Sequence, residues 1–168
     1  MKLWDKGIPV NEIIEAFTVG RDREMDLYLA ESDVLGTIAH ITMLESIGLL
    51  EKEELSALKK ALVEIYNEIK NGHFIIEPGV EDVHSQVELL LTQKLGDIGK
   101  KVHSGRSRND QALVDIRLFT RDSLLDIAHD IQSIFQILQS QSEKYKEVLL
   151  PGYTHLQVAM PSSFGLWF

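Results

Sequence analysis

Apolar residues recur every three or four positions along most of this chain, which is the spacing of an amphipathic helix. The clearest short run is formed by five residues, Leu55, Leu58, Leu62, Ile65 and Ile69. Gly72 follows this run and is predicted to stand just after a helix C-terminus, because glycine readily adopts the left-handed conformation found there. The pattern therefore predicts a helix that ends shortly before Gly72.

Other short runs predict further helices, and polar residues mark where they begin. Asn11 and Asp33 are predicted N-caps, because their side-chain oxygens can accept hydrogen bonds from the first backbone amides of a helix. A third run begins near Val83 and ends at Gly96. Between the helices, residues 73–79 end in a Pro-Gly pair and are predicted to form an extended connector.

The longest helical pattern runs from Asn109 to about Val148, and no glycine or proline interrupts it. Its seam positions are spaced by seven, or lie four residues after such a position: Leu113, Thr120, Leu124, Ile127, Ile131, Ile134 and Leu138. A helix of roughly 38 residues would be about 57 Å long, which is typical of a helical bundle. We interpret the seam as core packing and expect its partner helices to come from another subunit or from further sequence.

The end of the chain is predicted to break this helix. Pro151-Gly152 stops the pattern, the residues from there to Pro161 are predicted to be a loop, and Pro161 is predicted to begin a new helix. The last residues are mostly large and apolar, and from them we expect a truncated chain. The expected fold class is all-α, with an N-terminal helical domain over residues 1–108. The first long helix of an incomplete central helical bundle is expected within residues 109–168.

Composition narrows the classes of function. The formal net charge is −9, which argues against nucleic acid as a partner because phosphate binding needs broad basic surface. The chain has no cysteine, so disulfides and cysteine-based zinc sites are excluded. No apolar run is long enough to span a membrane, and the N-terminus lacks the apolar stretch of a secretory signal. We therefore expect a cytoplasmic protein with no nucleic-acid or membrane partner.

One stretch, HSGRSRNDQ at residues 103–111, concentrates positive charge in this acidic chain. Small residues allow a tight turn there. Arg106 and Arg108 offer planar guanidinium groups that match carboxylate or phosphate. Asn109 or Asp110 can cap the long helix that follows. Two interpretations stay equal on this basis: an anion-binding loop at a helix start, and a solvated basic turn before a capped helix.

Two other polar clusters contain histidine. In YTHLQ, residues 153–157, His155 could transfer a proton near neutral pH, although a histidine alone in a loop is usually only solvated. EDVH, residues 81–84, carries Asp82 and His84 near a helix start, where an acid in the first turn is the simple explanation of Asp82. No further histidine or acid stands at ligand spacing from this pair, so we expect no metal site.

Together these motifs resemble the argininosuccinate lyase family of the fumarase/aspartase superfamily. The matching pieces run in family order along nearly the whole chain: Leu3-Trp4, Leu29-Ala30-Glu31, Asp33, Gly36, Ala39-His40, Glu81 to His84, His103, Arg106 to Gln111, Pro151 to Gln157, Pro161 and Phe164-Gly165. The pair RSRNDQ and PGYTHLQ is the most specific part of the resemblance. Related members, such as adenylosuccinate lyase, have different versions of both stretches.

The resemblance implies a largely helical homotetramer whose active sites combine segments of three subunits. It implies reversible cleavage of argininosuccinate to arginine and fumarate by β-elimination, in arginine biosynthesis, with no metal and no organic cofactor. By motif position, His155 is implied to be catalytic. Arg108, Asn109 and Thr154 are implied to bind the carboxylates of this small-molecule substrate. The implied supporting residues are Asp82, His84, Arg106, Ser107 and Gln157.

Some features depart from the family pattern. The start reads Leu-Trp-Asp-Lys-Gly in place of the family's Leu-Trp-Gly-Gly-Arg-Phe, and Asp22 falls where the family usually has a substrate-binding serine. The family's flexible loop with its catalytic serine belongs after Phe168, so we expect the isolated chain to be inactive. Two alternatives stay open: another fumarate-releasing lyase, such as one acting on adenylosuccinate, and a non-catalytic helical assembly protein on the same scaffold.

Overall fold

The computed structural model describes residues 12–168, without the side chains of Glu12 and Glu15. The match at Leu3-Trp4 and the predicted N-cap Asn11 lie outside the described residues. Within them the chain forms α1 (Glu12–Val19), α2 (Asp22–Asp26), α3 (Ala30–Ser46), α4 (Lys52–Lys70), α5 (Val83–Leu95), α6 (Asp97–Lys100), a 3-10 turn (Lys101–His103), α7 (Arg108–Lys144), β1 (Leu149–Thr154), β2 (Gln157–Ser163) and α8 (Phe164–Trp167). The all-α fold class predicted from the sequence is confirmed for this part of the chain, which is mostly helical with one small two-stranded sheet.

The described residues divide into two compact units, of which the first ends at Thr120 and the second spans residues 121–168. In the described part of the first unit, α3, α4 and α5 share one hydrophobic core. Its fully buried side chains include Val34, Ile41, Leu58, Leu62, Val83 and Leu91. The buried face of α4 is the face that the apolar spacing predicted. Burial of this face removes apolar surface from water and holds α3 and α5 in place.

The ends of α4 and α5 agree with the predicted signals. Glu51 and Glu54 form a reciprocal capping box at the start of α4. Gly72 and Gly96 follow α4 and α5 with φ of 70° and 63°, the left-handed region that glycine enters without a steric penalty. The glycine stops predicted from the sequence are therefore confirmed.

The N-cap predicted at Asp33 is wrong. α3 begins three residues earlier, at Ala30, and Asp33 lies in its first turn with only 1% of its surface exposed. Its carboxylate lies 2.7 Å from Nδ1 of His84, which belongs to α5. The position of Asp33 is therefore explained by a tertiary contact between two helices and not by a role as a helix cap.

The long helix α7 has 37 residues, close to the predicted length, but its cap differs from the prediction. Ser107 Oγ accepts a hydrogen bond from the Asn109 N–H at 3.1 Å. The Asp110 carboxylate accepts one from the Ser107 N–H at 2.9 Å. Ser107 is therefore the cap, and Asp110 completes a reciprocal pair of the capping-box kind.

All six apolar seam positions of α7 are exposed. More than a third of the surface is exposed at Leu113, Leu124, Ile127, Ile131, Ile134 and Leu138. The buried residues of α7 are instead polar, Gln111 and Asp115. Despite its length, α7 is too polar to cross a lipid bilayer, and no other helix of the described residues could do so either. The origin of the partner helices expected for the seam stays a prediction.

The second unit contains an antiparallel hairpin of β1 and β2. The loop predicted after Pro151 is therefore wrong, and so is the helix start predicted at Pro161. The two prolines lie opposite each other in this two-stranded sheet, where a missing N–H is tolerated because each strand has one open edge. α8 begins at Phe164 instead, and Ser163 caps it by accepting a hydrogen bond from the Leu166 N–H.

Candidate functional site

The basic stretch at residues 103–111 forms a turn that leads into α7. Gly105 has φ of 75°, a backbone conformation that other residues rarely adopt. The turn leaves Asn109 exposed at the start of α7. Arg106 and Arg108 both contact residues of the first unit. The surroundings of the two arginines therefore differ from those expected in a solvated basic turn.

Arg108, the first residue of α7, is held by the segment that begins α5. Its Nη1 lies 2.9 Å from Glu81 Oε2 and 2.7 Å from Asp82 Oδ2. Its Nη2 donates to Ser85 Oγ at 2.8 Å. The guanidinium predicted to bind an anion is thus paired with carboxylates of the protein itself.

Two acidic side chains accept hydrogen bonds from backbone amides at the start of α5. Asp82 is its N-cap and accepts a hydrogen bond from the Ser85 N–H at 2.8 Å. Asp26 accepts one from the Val83 N–H at 3.1 Å. Burial raises the pKa of Asp26, and its hydrogen bond from Val83 acts in the opposite direction. Asp82 therefore connects the start of α5 to Arg108.

Arg106 turns into the first unit. Its Nη2 donates to Thr37 Oγ1 of α3 at 2.9 Å. Burial lowers the pKa of Arg106, and the nearby carboxylates of Asp33, Asp115 and Glu88 act to raise it. Arg106 therefore ties the basic turn to α3.

A buried polar cluster lies beside Arg106, where three helices meet. It contains Asp33 of α3, His84 of α5, and Gln111 and Asp115 of α7. His84 Nδ1 lies 2.7 Å from Asp33 Oδ1 and 3.7 Å from Asp115 Oδ2. Gln111 Nε2 donates to Asp33 Oδ1 at 3.4 Å. This cluster links the first turns of α7 to both α3 and α5.

Close packing of α3 against α7 buries Asp115. A Cβ added at Gly36 of α3 would lie 2.9 Å from Val114 Cγ1 and 3.7 Å from Asp115 Oδ1. The first of these distances is shorter than a normal contact between carbon atoms. The absence of a side chain at Gly36 therefore allows the approach that forms the buried cluster.

Burial changes the protonation of the cluster. The pKa of Asp115 is raised from 3.8 to about 7, chiefly by burial and then by the charge of Asp33, against the opposing charges of His84 and Arg106. Burial alone would lower the pKa of His84, but the hydrogen bond and the charge of Asp33 outweigh it, and the pKa is raised. The cluster therefore retains protons that the same side chains would lose in water.

The cluster also has polar atoms with unused hydrogen-bonding capacity. Within the described residues, buried atoms that lack a partner are Asp33 Oδ2, Arg106 Nε, Gln111 Oε1 and both carboxylate oxygens of Asp115. An adjoining cavity of about 10 Å³ has room for one water molecule.

Asp33, His84 and Asp115 each offer one possible ligand atom, and these atoms lie within 4.8 Å of one another. Structural zinc sites use four ligands, and Arg106 brings a positive charge to the same place. The argument from spacing missed this group, because its members are distant in sequence. The expected absence of a metal stays a prediction.

Thr154, His155 and Gln157 lie at the tip of the hairpin, in the second unit. Thr154 is paired with Gln157 across the strands, and His155 and Leu156 form the two-residue turn. Their φ angles are 49° and 64°, which is the pattern of a type I′ turn but is uncommon without glycine or asparagine. All four side chains are exposed. The turn thus holds His155 in contact with solvent.

The predicted site residues fall into two groups. Asp82, His84, Arg106, Ser107, Arg108 and Asn109 belong to the first unit, and Thr154, His155 and Gln157 belong to the second. Sequence reasoning missed Asp33, Gln111, Asp115 and Glu81 as contact residues. Gln111 and Asp115 gave no local signal, because polar residues four positions apart are normal on the polar face of an amphipathic helix.

Comparison with known families agrees with these motifs. A family model described as Lyase matches residues 6–168. The chain belongs to the lyase family. The match includes both the basic turn and the hairpin tip, so both groups of predicted site residues lie within the lyase region of the sequence.

The relatives of this lyase-family chain include three argininosuccinate lyases. The chain is 68% identical over 167 residues to that of Bacteroides thetaiotaomicron, a match that covers 99% of this chain and 37% of the relative. It is 65% identical to that of Parabacteroides distasonis, with the same coverage. It is 43% identical over 159 residues to that of Neisseria meningitidis, covering 94% of this chain and 34% of the relative.

The chain therefore spans a little over a third of the length of these relatives. The resemblance inferred from the motifs is confirmed.

Two solved structures share the fold of this lyase-family chain. A variant of EDDS lyase with bound fumarate has a TM-score of 0.63 and 22% identity, covering 96% of this chain and 32% of that one. The β-carboxy-cis,cis-muconate cycloisomerase of Acinetobacter calcoaceticus has a TM-score of 0.58 and 20% identity, covering 92% of this chain and 35% of that one. At these identities the likeness concerns the fold alone.

Proposed function

We propose that the protein containing this chain is an argininosuccinate lyase, which cleaves argininosuccinate to arginine and fumarate in arginine biosynthesis. The observation that carries the proposal is the 68% identity to the Bacteroides thetaiotaomicron argininosuccinate lyase over 99% of the chain. That match spans both the basic turn and the hairpin tip. The reaction is a carbon–nitrogen bond cleavage that needs no metal and no organic cofactor.

The proposed reaction is a β-elimination. A base removes a proton next to a substrate carboxylate, negative charge develops on that carboxylate, and the guanidinium group leaves with a proton. Hydrogen-bond donors arranged in advance stabilise this charge more in the transition state than in the ground state. Arg108, Asn109 and Thr154 are proposed to supply these donors. The exposure of Asn109 and Thr154 supports this role, because substrate can reach them.

His155 is proposed to accept or relay the proton, since an imidazole titrates near neutral pH. Its position in a tight turn supports this role, because the turn keeps the ring exposed. The supporting residues of the first unit, Asp82, His84, Arg106 and Ser107, are proposed to fix the basic turn. The Arg106–Thr37 hydrogen bond and the Arg108–Asp82 ion pair support that assignment. Gln157 is proposed to support the hairpin tip, where it pairs with Thr154.

The active protein is proposed to be a cytoplasmic homotetramer that binds a small molecule, with no nucleic-acid or membrane partner. The exposed apolar seam of α7 supports assembly, because such a surface is stable only when other helices cover it. Residues 1–108 are proposed as the N-terminal domain, and residues 109–168 as the start of the central bundle.

A chimera tests the proposal directly. Residues 1–168 of this chain would replace the matching third of the Bacteroides thetaiotaomicron argininosuccinate lyase. We expect the chimera to release fumarate from argininosuccinate at a rate of the same order as that of the parent enzyme. Absorbance of the fumarate product measures this rate. The isolated chain serves as the control that is expected to be inactive.

Two results would contradict the proposal. One is a chimera that folds and assembles like the parent enzyme but releases no fumarate. The other is a chimera that prefers adenylosuccinate to argininosuccinate in a panel of fumarate-releasing substrates. The second result would favour the related lyase considered from the sequence.

A further inference from the structure

We propose that Glu81 is an internal competitor for the carboxylate-binding position at Arg108, so that a substrate carboxylate binds there by displacing it. This inference rests on the proposed function, which assigns carboxylate binding to Arg108. Glu81 Oε2 accepts a hydrogen bond from Arg108 Nη1 at 2.9 Å, the contact that a substrate carboxylate would make. The side chains of Glu81 and Arg108 are 21% and 26% exposed, so solvent and dissolved anions reach the pair.

Among the described contacts of Arg108, Glu81 is the acid whose displacement leaves the cap of α5 intact. Asp82 caps α5 with one oxygen and contacts Arg108 with the other, so its departure would leave the Ser85 N–H without its acceptor. Glu81 precedes the cap and lies outside α5. Its longer side chain can rotate away without breaking a helix cap.

Arg108 stays oriented when Glu81 leaves. Asp82 Oδ2 remains 2.7 Å from its Nη1, and Ser85 Oγ remains 2.8 Å from its Nη2. The displacement therefore exchanges one carboxylate for another on a guanidinium that is already in place. Little side-chain ordering is needed at the moment of binding.

This exchange has a consequence for specificity. Competition by Glu81 weakens the binding of every anion at Arg108 by the same factor. A monocarboxylate that makes no other contact then displaces little of Glu81, which continues to occupy the position at Arg108. A substrate with three carboxylates gains further contacts and still binds. Glu81 thus raises the number of contacts that a ligand must make.

Glu81→Gln tests the inference, because it keeps the shape of the side chain and removes its charge. The variant should bind succinate about two- to five-fold more tightly, as expected for the loss of one partly exposed ion pair. The measurement is a titration of the 168-residue chain with succinate, followed by the NMR signals of the Arg108 guanidinium. Glu81→Ala replaces the first variant if glutamine at this position prevents folding.

Glu68→Gln is the matched control. It removes the same charge from an exposed glutamate of α4 that faces His73. The control should bind succinate with the affinity of the unchanged chain, which excludes an effect of net charge alone.

The outcomes separate the two proposals. Tighter succinate binding by the Glu81 variant alone supports the competitor role. Equal shifts of the Arg108 signals in the unchanged chain and the Glu81 variant, with equal affinity, overturn that role and leave carboxylate binding intact. Signals that do not move in any of the proteins overturn carboxylate binding at Arg108, and the competitor role with it.

Discussion

The basic turn at residues 103–111 and the hairpin tip at residues 154–157 are built in opposite ways. In the basic turn, both arginines are paired with groups of the first unit, and a buried cluster lies directly behind them. At the hairpin tip, the side chains are exposed, and their position depends on two residues in left-handed conformation.

This difference predicts which property a mutation in each region should change. The basic turn is fixed by tertiary contacts, so changes behind it should alter stability and its dependence on pH. The hairpin tip is fixed by local backbone geometry, so a change of side chain that keeps this geometry should alter chemistry and leave stability nearly unchanged.

The largest expected effect is at His155. In the chimera, His155→Asn should lower turnover about 100- to 10,000-fold if the imidazole transfers a proton. The free energy of unfolding should stay nearly unchanged, because the side chain is exposed. Fumarate release and thermal unfolding measure the two quantities. His129→Asn, at another exposed histidine of the second unit, should change neither. Near-normal turnover of the His155 variant would reject the role in proton transfer.

The next effect is the pH dependence caused by Asp115. Its pKa is about 7 in the folded chain and near 3.8 when unfolded, so the folded state binds the proton more tightly between these values. The stabilisation of the folded state by the proton on Asp115 is complete below about pH 4 and is lost as the pH rises towards 7. The loss should amount to about 2–4 kcal/mol of the free energy of unfolding.

Asp115→Asn should remove this loss, because an amide does not titrate. Denaturant unfolding at several pH values measures the difference between the unchanged chain and the variant. The charged groups that act on Asp115 are Asp33, His84, Arg106 and Asp26, and all are retained in the variant. Asp126→Asn, at an exposed position of α7, is the control and should keep the pH dependence of the unchanged chain. If the free energy of unfolding of the Asp115 variant changed with pH as steeply as that of the unchanged chain, the assignment of this pH dependence to Asp115 would be contradicted.

Much of the first unit could be predicted from the sequence, because local signals decide it. The apolar stripe of α4 and the glycines after α4 and α5 gave correct helices and correct ends. The length of α7 followed from an uninterrupted pattern. These elements are determined by residues close together in the chain, where spacing and capping are sufficient to predict them.

The contacts behind the basic turn could not be predicted in the same way. Asp33 has the side chain of a helix cap, but it is buried in contact with His84, 51 residues away, and with Gln111, 78 residues away. The hairpin was missed because Pro151 and Pro161 indicate breaks in most settings. Proline is tolerated in a two-stranded sheet, where each strand has an open edge.

The smallest expected effect is at Leu156, beside His155 in the turn. Its side chain is 99% exposed and its φ is 64°, so it contributes strain without packing. Leu156→Gly should stabilise the hairpin by about 0.5–1 kcal/mol, because relief of the left-handed strain exceeds the entropy cost of glycine. Leu149→Gly, at an exposed strand position of β1, should destabilise it by a similar amount. NMR measurement of the folded hairpin population compares the two. A loss of hairpin in both variants would mean that the turn is not held by its backbone geometry, and the contrast with the basic turn would fail.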